Sequence, residues 1–129
     1  MSFFGTGNRT INSTGMTGST AAMTTATLLA EIDCNDTMAH IRAGGEPWQV
    51  TWIVGSGTTG IMFLLEQTLS TGPDMSTAGR DQIPVFVSSG VSAQYVTKHN
   101  VLPGDRFHVR VESSVTGRGS AKIIGEPLL

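Results

Sequence analysis

The amino-acid sequence predicts an all-β fold, an antiparallel β-sandwich or jelly roll with an extended N-terminal arm. Three observations predict it. From residue 26 onward apolar residues recur with a period of two, the period of a half-buried strand. The alternating runs are short and are separated by clusters of Gly, Pro, Asn, Asp and Ser, which break strands and make turns. No segment of a dozen residues carries the 3.6-residue stripe of an amphipathic helix. A chain of 129 residues fits one domain with a core of its own, so residues 1–25 are read as the arm and 26–129 as the body.

The arm, "MSFFGTGNRTINSTGMTGSTAAMTT", carries one charge, Arg9, amid Thr, Ser, Gly and Asn. Disordered segments are usually rich in charge and proline, whereas this one holds scattered apolar anchors. It is expected to be extended or disordered until it binds a partner, with Phe3, Phe4, Arg9 and Ile11 as the contacting residues. The first body strand places Leu28, Ala30, Ile32 and Cys34 on one face and Thr27, Glu31 and Asp33 on the other. "TMAHIRAGG" alternates next and stops at Gly44-Gly45. In "EPWQVTWIVG", Trp48, Val50, Trp52 and Val54 share a face opposite Gln49, Thr51 and Ile53, and β-branched and aromatic residues dominate.

"IMFLLEQTLS" reads two ways. Ile61, Leu64, Leu65 and Leu69 make a helical stripe, and Ile61, Phe63, Leu65, Gln67 and Leu69 make a strand face. "STGPDMSTAGRDQ" is an exposed loop. "IPVFVSSG" is a short strand beginning near a proline, which an edge strand tolerates. "SAQYVTKHNVL" is extended and ends at the turn Pro103-Gly104-Asp105. "RFHVRVESS" alternates most cleanly, with Phe107, Val109 and Val111 inward and Arg106, His108, Arg110 and Glu112 outward, so His108 is expected to meet solvent or an interface. "VTGRGS" turns the chain into a last strand, "AKIIGEPLL". Seven or eight strands result.

Gly55-Ser-Gly57-Thr-Thr-Gly60 matches the G-x-G-x-x-G spelling of dinucleotide-binding loops. Such a loop needs a following helix that crosses back over a parallel sheet. Only about ten residues separate Gly60 from the Thr71-Gly72-Pro73 breaker, and more strands follow. The glycines are therefore read as a loop joining two antiparallel strands, with their backbone freedom used for the turn.

Other chemistry is weakly signalled. Ser88 or Ser89, His99 and Asp105 assemble a nominal triad, but the G-x-S-x-G elbow is absent and so Ser-rich a chain yields such trios by chance. Cys34, His40, His99 and His108 lack the paired short spacings of zinc sites, and no calcium loop occurs, so neither metal nor cofactor is expected. Trp48 and Trp52 share a face and would stack sugars if exposed, although continuity with Val50 and Val54 makes them core. Asn-x-Thr triplets at Asn8, Asn12 and Asn35 matter only in a secreted eukaryotic protein.

Charged residues make up 14% of the chain, well under the roughly 25% of ordinary domains, and the deficit suits a surface that packs against other protein. The net charge of −2 and the lack of any Lys/Arg cluster argue against nucleic acid as a partner. No apolar run approaches the ~20 residues that span a bilayer, so no membrane partner is expected. The lone cysteine, Cys34, leaves no internal disulfide and reads as a small buried hydrophobe.

The stretch "SAQYVTKHNVLPGDRFHVRVESSVTGRGSAKIIGEPLL", above all the turn "VLPGDRFHVRVE" and the hairpin "SSVTGRGSAKI", resembles the closing strands of small β-sandwich virion proteins of tailed bacteriophages, the head decoration or cement class. The resemblance implies a structural, non-enzymatic role on the capsid surface, assembled in the host cytoplasm. It implies the major capsid protein as partner and a homo-oligomer, a trimer being favoured. A phage tail or neck component and a carbohydrate-binding module using Trp48 or Trp52 are the alternatives.

Overall fold

The computed structural model describes residues 11–13, 22–23, 29–33, 44–57, 59–68, 80–102, 104–113 and 115–128. They form β1 (Ile11–Ser13), β2 (Ala22–Met23), β3 (Ala30–Asp33), β4 (Glu46–Ser56), β5 (Ile61–Thr68), β6 (Arg80–Val87), β7 (Ser92–Val101), β8 (Arg106–Val111), β9 (Val115–Thr116) and β10 (Gly119–Pro127). There is no helix among the described residues. Two four-stranded antiparallel sheets, ordered β1-β10-β4-β7 and β3-β8-β5-β6, face each other, and β2 pairs with β9. The all-β antiparallel sandwich that the period of two predicts is the fold.

Alternation sorts each strand into a core face and an outer face. Trp48, Val50, Trp52 and Val54 of β4 are fully buried, as are Phe63 of β5 and Phe107, Val109 and Val111 of β8. Trp48 stacks on Phe107 with centroids 6.2 Å apart, and Trp52 meets the same ring edge-on at 5.9 Å. Such pairs add about 0.5–1.5 kcal/mol each beyond the area that they bury. The flat lie of Trp48 needs Gly125 of β10, because a Cβ there would stand 2.7 Å from the indole Cζ3.

The strand face is the correct reading of "IMFLLEQT": Ile61, Phe63, Leu65 and Gln67 are all buried, and β5 lies between β6 and β8. β6 starts at Arg80, earlier than its apolar run suggests, so Pro84 falls in mid-strand. Glu112 N donates to Met62 O, so the even residues of β5 bond toward β8 and the odd ones toward β6. Pro84, opposite Leu64, therefore turns its donorless nitrogen to the free edge, where no bond is lost.

The last three residues of "STGPDMSTAGRDQ", read as loop, belong to β6. "TMAHIRAGG" lies outside the described residues up to Ala43, and the exposed-loop segment does so up to Gly79. In the stretch read as the arm, Ile11–Ser13 runs in register with Gly125–Ile123 and Ala22–Met23 with Thr116–Val115, so these two pieces extend the sheets. Phe3, Phe4 and Arg9 lie outside the described residues.

The glycine motif is the connection from β4 to β5, crossing from one sheet to the other. None of its glycines has the positive φ found at Gly45, Gly90, Gly104 and Gly117. The turn's backbone freedom is thus not what selects them. At Gly60 the reason is close approach, since a Cβ would stand 2.7 Å from Cζ of Phe86, whose ring lies across it.

Candidate interaction surface

β6 and β7 end their respective sheets, and the turn between them crosses from one sheet to the other along one flank of the sandwich, which is bounded by two edge strands. β1 and β10 pack over β3, and β4 over β5 and β6. β7 overhangs this stack, so its core-facing Ala93, Tyr95, Thr97 and His99 are only half-buried. Phe86, Val91 and Val96 are 59%, 48% and 52% exposed, and they account for three of the four exposed large hydrophobics among the described residues. On the outer face of β6, Phe86 stands opposite Met62 and Pro84 opposite Leu64, which gathers an apolar patch at the end of the sheet.

Inside the same flank runs a chain of hydrogen bonds whose direction is fixed by its ends. Trp52 Nε1, which can only donate, gives its proton to Thr97 Oγ1 at 2.8 Å. Gln67 Nε2 donates to the Asn100 carbonyl at 3.0 Å and to Asp105 Oδ2 at 3.1 Å, leaving Gln67 Oε1 as acceptor. His99 Nδ1, 3.0 Å from that oxygen, must carry the proton, and Nε2 accepts from the Thr97 hydroxyl at 2.7 Å. His99 is thereby a neutral Nδ1–H tautomer. Burial pushes its pKa down and Asp81 on β6 partly opposes this. Asp105 Oδ2 also accepts from Leu102 N, tying down the turn between β7 and β8.

The outer face of the second sheet carries a polar row. Glu31, His108, Glu66 and Gln82 are in register across β3, β8, β5 and β6. Arg110 grips Glu66 with two bonds of 2.8 Å, Nε to Oε1 and a terminal nitrogen to Oε2, and Gln82 Nε2 donates to Oε2. His108 Nδ1 lies 3.5 Å from Glu66 Oε1, and Nε2 lies 3.4 Å from Thr68 Oγ1. The expectation that His108 is solvated is wrong. It points outward as its alternation requires, but it is 0% exposed, because β8 is an inner strand and long side chains on β3 and β5 wall it in.

The nominal triad does not assemble. Ser88 and Ser89 sit in the β6–β7 turn, while His99 lies seven residues along β7, about 23 Å away at the rise of a strand. His99 reaches Asp105 only through Gln67. Trp48 and Trp52 are both 0% exposed, so neither ring is open for a sugar to stack on. No three His, Cys, Asp or Glu among the described residues come together as a metal site. Cys34, His40, Asn8 and Asn35 lie outside the described residues, and Asn12 is in register with Ile124 within the sheet. The residues that sequence reasoning missed are Gln67, Glu66 and Phe86. Gln67 had a signal, as the one polar member of an otherwise apolar alternating face. Glu66 and Phe86 had none, because only register shows what stands beside them.

No protein-family model matches the chain, and no curated protein matches it. Solved structures do. The CBM22-1–GH10 modules of the Clostridium thermocellum endo-1,4-β-D-xylanase 10B, complexed with xylohexaose, align over 90% of this chain at 12% identity and a TM-score of 0.57. This chain spans only about a quarter (24%) of that xylanase chain. The globular domain of zebrafish complement 1qA aligns over 94% of this chain and 98% of its own, at 11% identity and a TM-score of 0.55. Eiger TNF from S. frugiperda aligns over 93% of both chains at 14% identity and a TM-score of 0.50. These likenesses are of fold, the β-sandwich that these proteins share with this chain.

Proposed function

We propose that this chain is a structural, non-enzymatic virion protein, a capsid decoration protein that binds the phage head surface and stabilises it as a homo-oligomer. The observation that carries the reading is the apolar patch of Phe86 and Pro84 beside Met62 and Leu64 on the outer face at the end of one sheet, in a chain with few charges. Contiguous exposed apolar surface marks protein contact. The ionisable groups that an enzyme would turn toward a cleft are here bonded to one another, as in Glu66–Arg110 and His99–Gln67–Asp105. In this reading the arm, through Phe3, Phe4, Arg9 and Ile11, adds contact to the major capsid protein, and many weak contacts repeated over a shell sum to firm attachment.

Co-sedimentation with heads of the encoding phage tests it. The full chain is expected to pellet with heads in fixed ratio and to raise their melting temperature, as binding to the assembled state requires. Deleting residues 1–10 spares β1 and β2 and is expected to abolish pelleting without changing the β-type circular dichroism. Absence of the full chain from the head pellet would sink the decoration role, and undiminished pelleting of the shortened chain would remove the arm from it.

A further inference from the structure

We infer that β7 pairs with β7 of a second copy, antiparallel about a twofold axis at Val96, to join two β1-β10-β4-β7 sheets into one continuous sheet. The inference stands on the geometry of this edge and goes beyond the virion reading. Three backbone bonds fix which groups face outward. Ser56 N donates to Val91 O, Gly57 N to Arg118 O and Leu128 N to Pro47 O. In a regular antiparallel ladder these set the even residues of β4 bonding toward β7 and the odd ones toward β10. The N–H and C=O of Ala93, Tyr95, Thr97 and His99 are consequently used against β4. Those of Ser92, Gln94, Val96 and Lys98, and the N–H of Asn100, point away from the sheet, along ten residues without a proline or a break in register, while the Asn100 carbonyl already accepts from Gln67 Nε2.

The neighbouring edge shows how this chain closes an edge that is not for pairing, with Pro84 in the middle of β6. β7 carries no proline, and its one charged residue is Lys98. Charge and shape then choose the occupant and the register. With Val96 opposite Val96 of the second copy, Gln94 stands opposite Lys98 and Ser92 opposite Asn100, and no like charges meet. Centring on Lys98 would set lysine against lysine, and centring on Thr97 would set Lys98 against Val96. On the outer face Ile124, Thr51 and Val96 lie in one register row. The Val96 register continues that row without a charge into Val96, Thr51 and Ile124 of the second copy. All five outward-bonding residues of β7 are exposed, so nothing among the described residues blocks the approach. Pairing along the whole edge makes roughly eight inter-strand hydrogen bonds, enough for a weak dimer of this narrow contact.

Sedimentation velocity and amide exchange on the full chain test this over about 1 to 300 μM. A monomer–dimer equilibrium is expected, in which amides of Gln94, Val96 and Lys98 become protected only as dimer forms. Those of Tyr95 and Thr97 stay protected throughout. Val96→Lys brings two like charges face to face and is expected to weaken dimerisation about tenfold or more, leaving Tyr95 and Thr97 protected and so reporting an intact fold. Gln94→Glu sets a carboxylate against Lys98 twice per dimer and is expected to tighten it a few-fold at low salt, with the gain lost at high salt. A chain monomeric over the whole range overturns the inference, as does a trimer indifferent to both substitutions. Head co-sedimentation is a separate readout, so either proposal can fail alone.

Discussion

Gly125 and Gly60 each lie too close to an aromatic ring to leave room for a Cβ, yet the consequences of adding one differ. Gly125→Ala would press on Trp48, which is fully buried, stacked on Phe107 and has no room to move. A loss of about 1–3 kcal/mol in a urea melt is expected. Gly60→Ala meets only the end of the Phe86 ring, which is 59% exposed and free to swing away, so a change under about 0.5 kcal/mol is expected. His99 makes a pH prediction. Its folded pKa lies below the ordinary value near 6.5, so between the two values the unfolded chain binds more protons. The stability it contributes is complete above about pH 7, falls as pH drops below about 6.5, and levels off once the folded value is passed. Melting temperatures from pH 7.5 down to 5 should show this loss in the native chain, and His99→Gln should remove that part of the slope. Comparing the two chains isolates the part of the slope that belongs to His99.

At the scale of elements, period-two alternation was enough to orient β4 and β8, because each has one face on the core and a single polar–apolar switch per residue, whereas the segment of β5 read equally as a helical stripe. Pairing was not legible, and the polar row of the second sheet is a product of pairing. Nothing in "FLLEQ" or "RFHVRV" says that Glu66 and His108 stand side by side, or that Arg110 spans to the same carboxylate. The fate of His108 follows from its strand being inner, a property of sheet order. Glu66 is fully buried, Arg110 is only 11% exposed, and the pair is doubly bonded, so removing one partner strands the other. Arg110→Ala is expected to cost about 3–5 kcal/mol by leaving Glu66 buried without its cation. Replacing the two together, Glu66→Met with Arg110→Leu, should recover most of that loss, and equilibrium unfolding of the three chains would show whether the charges are held for stability or for specificity.

For the molecule as a whole, the sequence was informative about fold and silent about surface. Composition, turn spacing and alternation sufficed for a two-sheet sandwich, since each reports how much apolar surface one chain must hide. An interaction flank depends on which strands are left at the edges, and that is decided only when ten segments choose neighbours. The proposed role and the proposed pairing both lie on that flank, where β6 is closed by a proline and β7 is open. They predict different dependence on concentration: head binding should track arm integrity, while dimerisation should track Val96 and Gln94.

The sheet order also constrains how the molecule is made. β10 is the bridge between β1 and β4, holding together segments more than thirty residues apart in sequence, and it is synthesised after both. Until it arrives, β4 has one partner fewer than it needs and the stretch from Ile11 to Ser13 has none in its sheet. A chain emerging from the ribosome thus carries Trp48 and Trp52 for most of its synthesis with that bridge missing. Folding should therefore be slow and governed by long-range closure, and during synthesis those two indoles are an attractive target for a chaperone.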